Sequence, residues 1–217
     1  AQPHTWLEAC TRRWLTRLDQ PDTAFLLSLR PRLAEKLQRP YLCHGWTPSQ
    51  RLAALCWHYG LLGRLMAPTA SAAVLSGGLT LLRLQILDTA LALDLRLAYQ
   101  DQFEKEGDLS LLVEDPATGI ALAGITFSLL QVAGRRAFLL GGVQGSPDPI
   151  ARDKIRAVAR AVCGLRAKAL ALDCVRTLAR AWEIDDLFAV GDGCHVYSHS
   201  AKQRRIRASY DAFWEES

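Results

Sequence analysis

Asp192, His195 and Tyr197 lie within one short stretch near the C-terminal end of the chain. A carboxylate, an imidazole and a phenol at that spacing are the parts of a proton-handling site, with His195 as general base, Tyr197 as hydroxyl donor and Asp192 as orienting carboxylate. A lone histidine serves equally well as a structural group, so both readings stand. A second set is Gly141-Gly142-Val143-Gln144-Gly145-Ser146-Pro147-Asp148-Pro149. It reads as a glycine-rich strand exit leading into a helix. There the backbone N–H groups of Gly142, Gln144 and Gly145 and the positive helix N-terminus could cradle an anion. The spacing is neither that of a Walker A loop nor G-x-G-x-x-G, and a turn that needs positive φ is the plain alternative. A third set, Gly164-Leu165-Arg166-Ala167-Lys168, breaks one helix and opens another with two cations near its start. Cations there oppose the helix dipole. The pattern makes sense if Arg166 and Lys168 grip an anion, or if their stems snorkel over the surface.

Other chemistries are not written in the chain. There is no G-x-S-x-G elbow and no H-E-x-x-H. The six cysteines include no C-x-x-C pair, and the neighbours in Cys43-His44 and Cys194-His195 point in different directions, so no metal site is expected. Free cysteines suit a reducing compartment. No basic start, apolar run and small-residue cleavage site occur together at the N-terminus, so no secretion signal is expected. The uncharged windows 65–82 and 117–134 read as a broken helical stretch and as strand, which predicts no transmembrane segment.

The elements that must position these residues fall into two parts. Residues 1–78 read as a helical N-terminal region. Trp6, Cys10, Trp14 and Leu18 recur at helical spacing, as do Leu26, Leu29, Leu33 and Leu37, with prolines as punctuation. Thr47-Pro48 predicts a capped helix through Leu52, Leu55, His58 and Tyr59, and the tryptophans read as core. Residues 79–217 read as a mixed α/β domain, or as the continuation of a single one. Leu91, Leu93, Leu95 and Leu97 alternate as in a half-buried strand. After the turn at Glu106-Gly107-Asp108 come strands over 109–114, 120–131 and 137–143. Helices over 150–163 and from 167 to about 182 precede a short strand at 187–190. The expected fold class is α+β, a mostly antiparallel sheet carrying helices with the N-terminal helical part packed on it. The element order is similar to that of the N-acetyltransferase fold, apart from an extra helix at 150–163.

Half of the 217 residues are hydrophobic and 22% are charged, which excludes a disordered or fibrous chain. The net charge of +4 is uneven: eight cations and two anions lie between Arg152 and Arg180, and Lys202, Arg204, Arg205 and Arg207 form a second cluster. Such clusters suit an anionic small molecule, an acidic lipid or an acidic protein partner, or merely a solvated helix face. Nucleic acid is not expected, because the aromatic residues do not interleave with the cations.

Arg51, His58-Tyr59, Glu106-Gly107, the run LLGGVQG at 139–145, Gly164 to Lys168, His195-Val196-Tyr197 and the C-terminal YDAFWEE at 210–216 together resemble the VirK/YbjX family of Gram-negative bacterial proteins. The resemblance covers roughly residues 40–217, and Ala167 stands where that family tends to have Pro. It implies a cytoplasmic protein, in one version associated with the inner membrane, linked to virulence, the cell envelope and tolerance of cationic peptides. It assigns no catalytic residue. Two functions follow as expectations. One is an acyltransferase-like enzyme that holds coenzyme A or acyl-coenzyme A through Gly142, Gln144, Gly145, Gly164, Arg166 and Lys168 and moves a proton through His195 or Tyr197. The other is a non-enzymatic adaptor that meets anionic lipid or an acidic partner.

Overall fold

The computed structural model describes residues 3–198 and 209–216; the basic cluster from Lys202 to Arg207 lies outside them. Helices form where apolar spacing and end signals agree. Helix α1 (Pro3–Leu18) buries Cys10, Trp14 and Leu18, and the Trp14 indole N–H donates to the Leu33 carbonyl at 2.7 Å. Trp6 departs from the expected core: it is 54% exposed, on the rim of an open groove of about 500 Å³ between α1 and the later helix that carries Ser49 and Leu52. Helix α2 (Ala24–Leu29) stops at Arg30, and Pro31–Gln38 continues as a 3₁₀ helix. Pro31 supplies no N–H and pushes the residue before it toward extended backbone, so the leucine stripe splits while Leu26, Leu33 and Leu37 remain buried. Helix α3 (Pro48–Leu65) opens on a full capping box, with Thr47 and Gln50 exchanging side-chain and backbone hydrogen bonds. Helix α4 (Pro68–Ser76) completes the helical part.

Six strands follow: β1 (Leu79–Gln85), β2 (Ala92–Ala98), β3 (Leu109–Asp115), β4 (Ile120–Val132), β5 (Arg135–Gly145) and β6 (Asp186–Ala189). They lie side by side in sequence order. The first five form an antiparallel meander and β6 runs parallel to β5. A parallel return needs a crossover, supplied by helices α5 (Pro149–Ala161) and α6 (Ala167–Ala181). A short helix α7 (Tyr210–Glu215) lies near the C-terminus. The result is an α+β fold with the predicted helical part against a mostly antiparallel sheet.

Period-2 alternation divides the sheet chemically. Leu111 pairs with Ile125 and Leu109 with Phe127, an apolar face on which α6 buries Ala171, Leu172, Val175 and Ala179. Phe138 meets Phe127 at 4.5 Å and the Trp182 ring edge-on at 6.0 Å. Ser110 pairs with Thr126 on the other face. Ser128, two residues along β4, hydrogen-bonds Tyr41 from the N-terminal part at 2.9 Å.

The run Gly141–Gly145 is strand, not the loop the sequence suggests. Its residues pair with β4, while β6 pairs only with Ala137–Leu140 and the Val190 N–H adds a last bond to the Leu140 carbonyl at 2.9 Å. A bulge leaves Gly141 between two rungs, and there β5 and β6 part. Both glycines are required by what crosses them: a Cβ on Gly141 would strike the Glu106 backbone carbonyl, and one on Gly142 the Glu106 carboxylate.

Candidate functional site

The fork between β5 and β6 collects the chemistry. Glu106 enters it from the turn before β3, which is tied down by the Leu42 N–H to the Lys105 carbonyl at 2.8 Å and by the Asp108 N–H to the Phe127 carbonyl at 3.1 Å. The Glu106 side chain is buried. The Gln144 amide donates to Glu106 Oε2, Thr126 Oγ1 lies 3.4 Å from Gln144 Oε1, and Ser110 bonds Thr126 at 2.8 Å. Glu106 Oε1 faces His195 Nε2 at 3.6 Å, longer than a hydrogen bond. In the sequence Glu106 reads as a turn residue and, with Gly107, as one of the strings of the family resemblance, without a role in a site. Its local signal is a carboxylate ahead of a glycine where a turn feeds a strand.

His195 is placed by the loop after β6. Its N–H donates to the Gly191 carbonyl at 3.0 Å, and an isolated antiparallel bridge joins it to Cys43. The ring is buried, stacks on Tyr210 at 4.6 Å and 22°, and lies 5.5 Å from the Tyr197 ring. The Tyr197 N–H points at Nδ1 at 3.4 Å. That bond assigns the proton of the neutral ring to Nε2, the atom facing Glu106. Burial lowers the imidazole pKa while the charge of Asp192 pulls it back up. A neutral imidazole beside a buried carboxylate can take and pass a proton.

The other predicted residues divide. Tyr197 sits half-buried beside His195, with Lys105 5.8 Å from its ring centroid, and burial raises its hydroxyl pKa. Asp192 does not touch the imidazole: Oδ2 accepts from Ser209 Oγ at 2.7 Å and Oδ1 from the Tyr210 N–H at 2.8 Å. It fastens α7 to the loop and reaches His195 through its field alone. Trp214 adds a bond from its indole to the Val190 carbonyl at 3.1 Å. The anion set is also split. Gly164, at φ 88°, donates its N–H to the Ala159 carbonyl at 2.7 Å and so ends α5 as a left-handed stop. Arg166 is exposed, 3.7 Å from Glu216, and occupies the N-cap of α6 without a side-chain cap bond. Lys168 is different: its Cε lies 3.3 Å from where a Gly145 Cβ would be, and burial lowers its pKa. Beside Gln144 and Gly145 opens a pocket of about 190 Å³, bounded also by Gln102, Phe103, Gly124 and Pro147.

A second polar cluster, two residues along the chain from Glu106, went unpredicted. Asp108 is fully buried and accepts from Lys36 Nζ, Tyr41 OH, Tyr59 OH at 2.9 Å and Ser128 Oγ at 2.9 Å. Burial alone would raise its pKa, but the Lys36 and His58 charges and these donors bring it down to about 2. His58 accepts the Leu129 N–H on Nδ1 at 3.0 Å, and burial pushes it down to about 4. Among the described residues no group of three or more His, Cys, Asp or Glu could hold a metal ion, and no helix is long and apolar enough to cross a membrane.

The family model described as "Protein of unknown function (DUF535)" matches residues 4–217. The chain is 33% identical over 207 residues to the "Uncharacterized protein YbjX" of Escherichia coli (strain K12). That match takes in 93% of this chain, which spans 62% of the relative's length. No solved structure matches the chain. Matched over nearly its full length by that family model, the chain belongs to the DUF535 family, the VirK/YbjX family of bacterial proteins.

Proposed function

We propose that the chain binds a phosphate-bearing acyl carrier of the coenzyme A class and transfers its acyl group to an amine or hydroxyl. The observation that carries this reading is the pairing of Glu106 with His195 at the point where β5 and β6 part. A fork between parallel strands leaves backbone N–H and C=O groups without a neighbouring strand, and the amides of an extended ligand arm can pair with such an edge. Lys168 and the first N–H groups of α6 supply positive potential near Gly145 for a phosphate, and the pocket beside Gln144 leads along the strand. The Glu106 and His195 pair then takes the proton of the attacking nitrogen or oxygen as it bonds to the acyl carbon; the carbon–sulfur bond of the thioester breaks, and the carrier leaves as a thiolate that receives that proton. Order of elements supports the reading as well: apart from the extra helix α5, an antiparallel meander, a glycine-bearing strand, a helical crossover and a parallel strand are similar to the arrangement of the N-acetyltransferase fold. Fold analogy by itself does not fix function.

The test is thermal unfolding with coenzyme A, acetyl-coenzyme A and a long-chain acyl-coenzyme A, since a ligand that binds only the folded chain raises its midpoint. A rise that Lys168→Ala abolishes and Arg166→Ala only weakens is the expected result. No rise with any of the three at millimolar concentration overturns the reading. An adaptor role has its own observation, the exposed cations Arg152, Arg156 and Arg160 along α5. Binding to anionic vesicles that falls steeply with salt, without any response to acyl-coenzyme A, would move the assignment there.

A further inference from the structure

The two Cys-His dipeptides of the sequence come from opposite parts of the chain and meet beside the fork. Cys43 pairs with His195 across an isolated antiparallel bridge, and the His44 N–H donates to the Cys194 carbonyl at 2.8 Å. Those two contacts bring the segments side by side, and the Cys43 thiol has the Cys194 side chain as a hydrogen-bonding neighbour, the first half-buried and the second exposed. The segment that holds Cys43 also carries Tyr41, a donor to Asp108, and the segment that holds Cys194 runs directly into His195.

We propose that Cys43 and Cys194 are a redox pair, forming a reversible disulfide that staples the segment after the 3₁₀ helix to the loop bearing His195. Exposure sets the order of events. The Cys194 thiolate attacks a small-molecule disulfide such as oxidised glutathione, forming a mixed disulfide and releasing one thiol. Cys43 then loses its proton and attacks Cys194 Sγ, which releases the second thiol and leaves the internal bond. Both protons go to the departing thiolates, and the oxidant is reduced by two electrons. The Cys43 thiol is held protonated at rest: burial raises its pKa, a Gly45 backbone bond lowers it, and the adjoining Cys194 raises it further. It therefore suits the second, resolving step rather than the first. The other cysteines are spread through the chain; Cys10 is buried and Cys163 is exposed at the end of α5, so Cys163 serves as the control for non-specific oxidation.

The staple would fix the His195 loop against the N-terminal part, closing a covalent ring across most of the chain. The experiment treats the full chain with oxidised glutathione, blocks remaining thiols and maps joined peptides by mass. A Cys43 to Cys194 peptide that dithiothreitol releases, with a raised thermal midpoint that falls back on reduction, is the expected result. Cys43→Ser should instead retain a glutathione adduct on Cys194, and Cys194→Ser should leave Cys43 without one. A wild-type chain that keeps the Cys194 adduct as stably as Cys43→Ser, or one that forms bonds only through Cys163, overturns the proposal. The adduct pattern is read from unfolded, digested protein, so it separates loss of the pair from loss of the fold once both variants show the wild-type circular dichroism spectrum.

Discussion

Asp108 and Glu106 stand two residues apart in one turn, both buried, each with a histidine near it, and they have been put to opposite uses. Asp108 is saturated: an ammonium, two phenols and a serine hydroxyl donate to it, and the charge of Lys36 offsets its own. Glu106 has the Gln144 amide on one oxygen and, opposite the other, a His195 ring nitrogen 3.6 Å away. A buried carboxylate held by an ammonium and three hydroxyls binds parts together; one that faces an imidazole just beyond hydrogen-bond distance can exchange a proton with it. The contrast shows that burial and charge alone do not distinguish a clamp from a site. The chemistry of the partners does.

The largest test of that contrast is Asp108→Asn. It leaves the Lys36 ammonium buried without a counter-charge, and the cost of breaking such a pair from one side is about 3–5 kcal/mol. Urea unfolding of the variant should show a loss of that size. Adding Lys36→Met should restore part of it, because the two charges then leave together. A loss below about 1 kcal/mol for Asp108→Asn would remove the clamp from the comparison.

The same cluster predicts an acid limb. His58 has a folded pKa near 4 against an ordinary value of 6.5, so the unfolded chain binds a proton more readily than the folded one between those values. Stability therefore falls as pH drops from 6.5 to 4, by roughly 3 kcal/mol if the shift is complete. Asp108, depressed to about 2, adds a second decline as pH falls from its ordinary 3.8 toward 2. Chemical unfolding at pH 7.5, 5.5 and 4.5 should trace the first limb, and His58→Gln should flatten it. A wild-type profile level down to pH 4.5 would place His58 among groups that ionise freely.

How much of this could be read beforehand differs by element. The strands at 109–114, 120–131 and 137–143, the Thr47 cap and the helices after Pro149 and Arg166 were legible, because alternation, proline and cap chemistry act within a few residues. Leu29 to Leu37 misled, since periodicity cannot show that Pro31 tightens the helix to 3₁₀. His195 and Tyr197 were found by type and proximity. Glu106 and the Asp108 cluster were not. Their partners come from the 3₁₀ helix, α3, β4 and β5, and no local pattern records that Lys36 and Asp108, or Glu106 and Gln144, will meet. The glycines held that information in another form, as a place where the backbone had to admit a neighbour.

That form makes a finer prediction. Gly141 faces the Glu106 backbone, which cannot move without displacing the whole turn, whereas Gly142 faces the Glu106 carboxylate and the Gln144 amide, the ends of two side chains. Gly141→Ala should cost about 1–3 kcal/mol by overpacking, and Gly142→Ala less, because the Glu106 carboxylate and the Gln144 amide can swing away together. The second variant should nevertheless lose more of the acyl-coenzyme A response, as it dislodges the group opposite His195. Equal stability losses in the two would mean that the carboxylate is as firmly placed as the backbone.

The smallest expected effect on stability is the most telling for the comparison. Glu106→Gln keeps the volume and an oxygen that can accept from the Gln144 amide, so it should change unfolding free energy by less than about 1 kcal/mol. It removes a negative charge 3.6 Å from His195 Nε2, where that charge favours the protonated ring. The His195 pKa, already lowered by burial, should fall further in the variant, which the pH dependence of its ring proton shifts would record. Stability unchanged with an altered imidazole titration is the signature of a pair held for proton transfer. A loss matching that of Asp108→Asn, with the titration unmoved, would make Glu106 a second clamp and leave the fork without an acid-base pair.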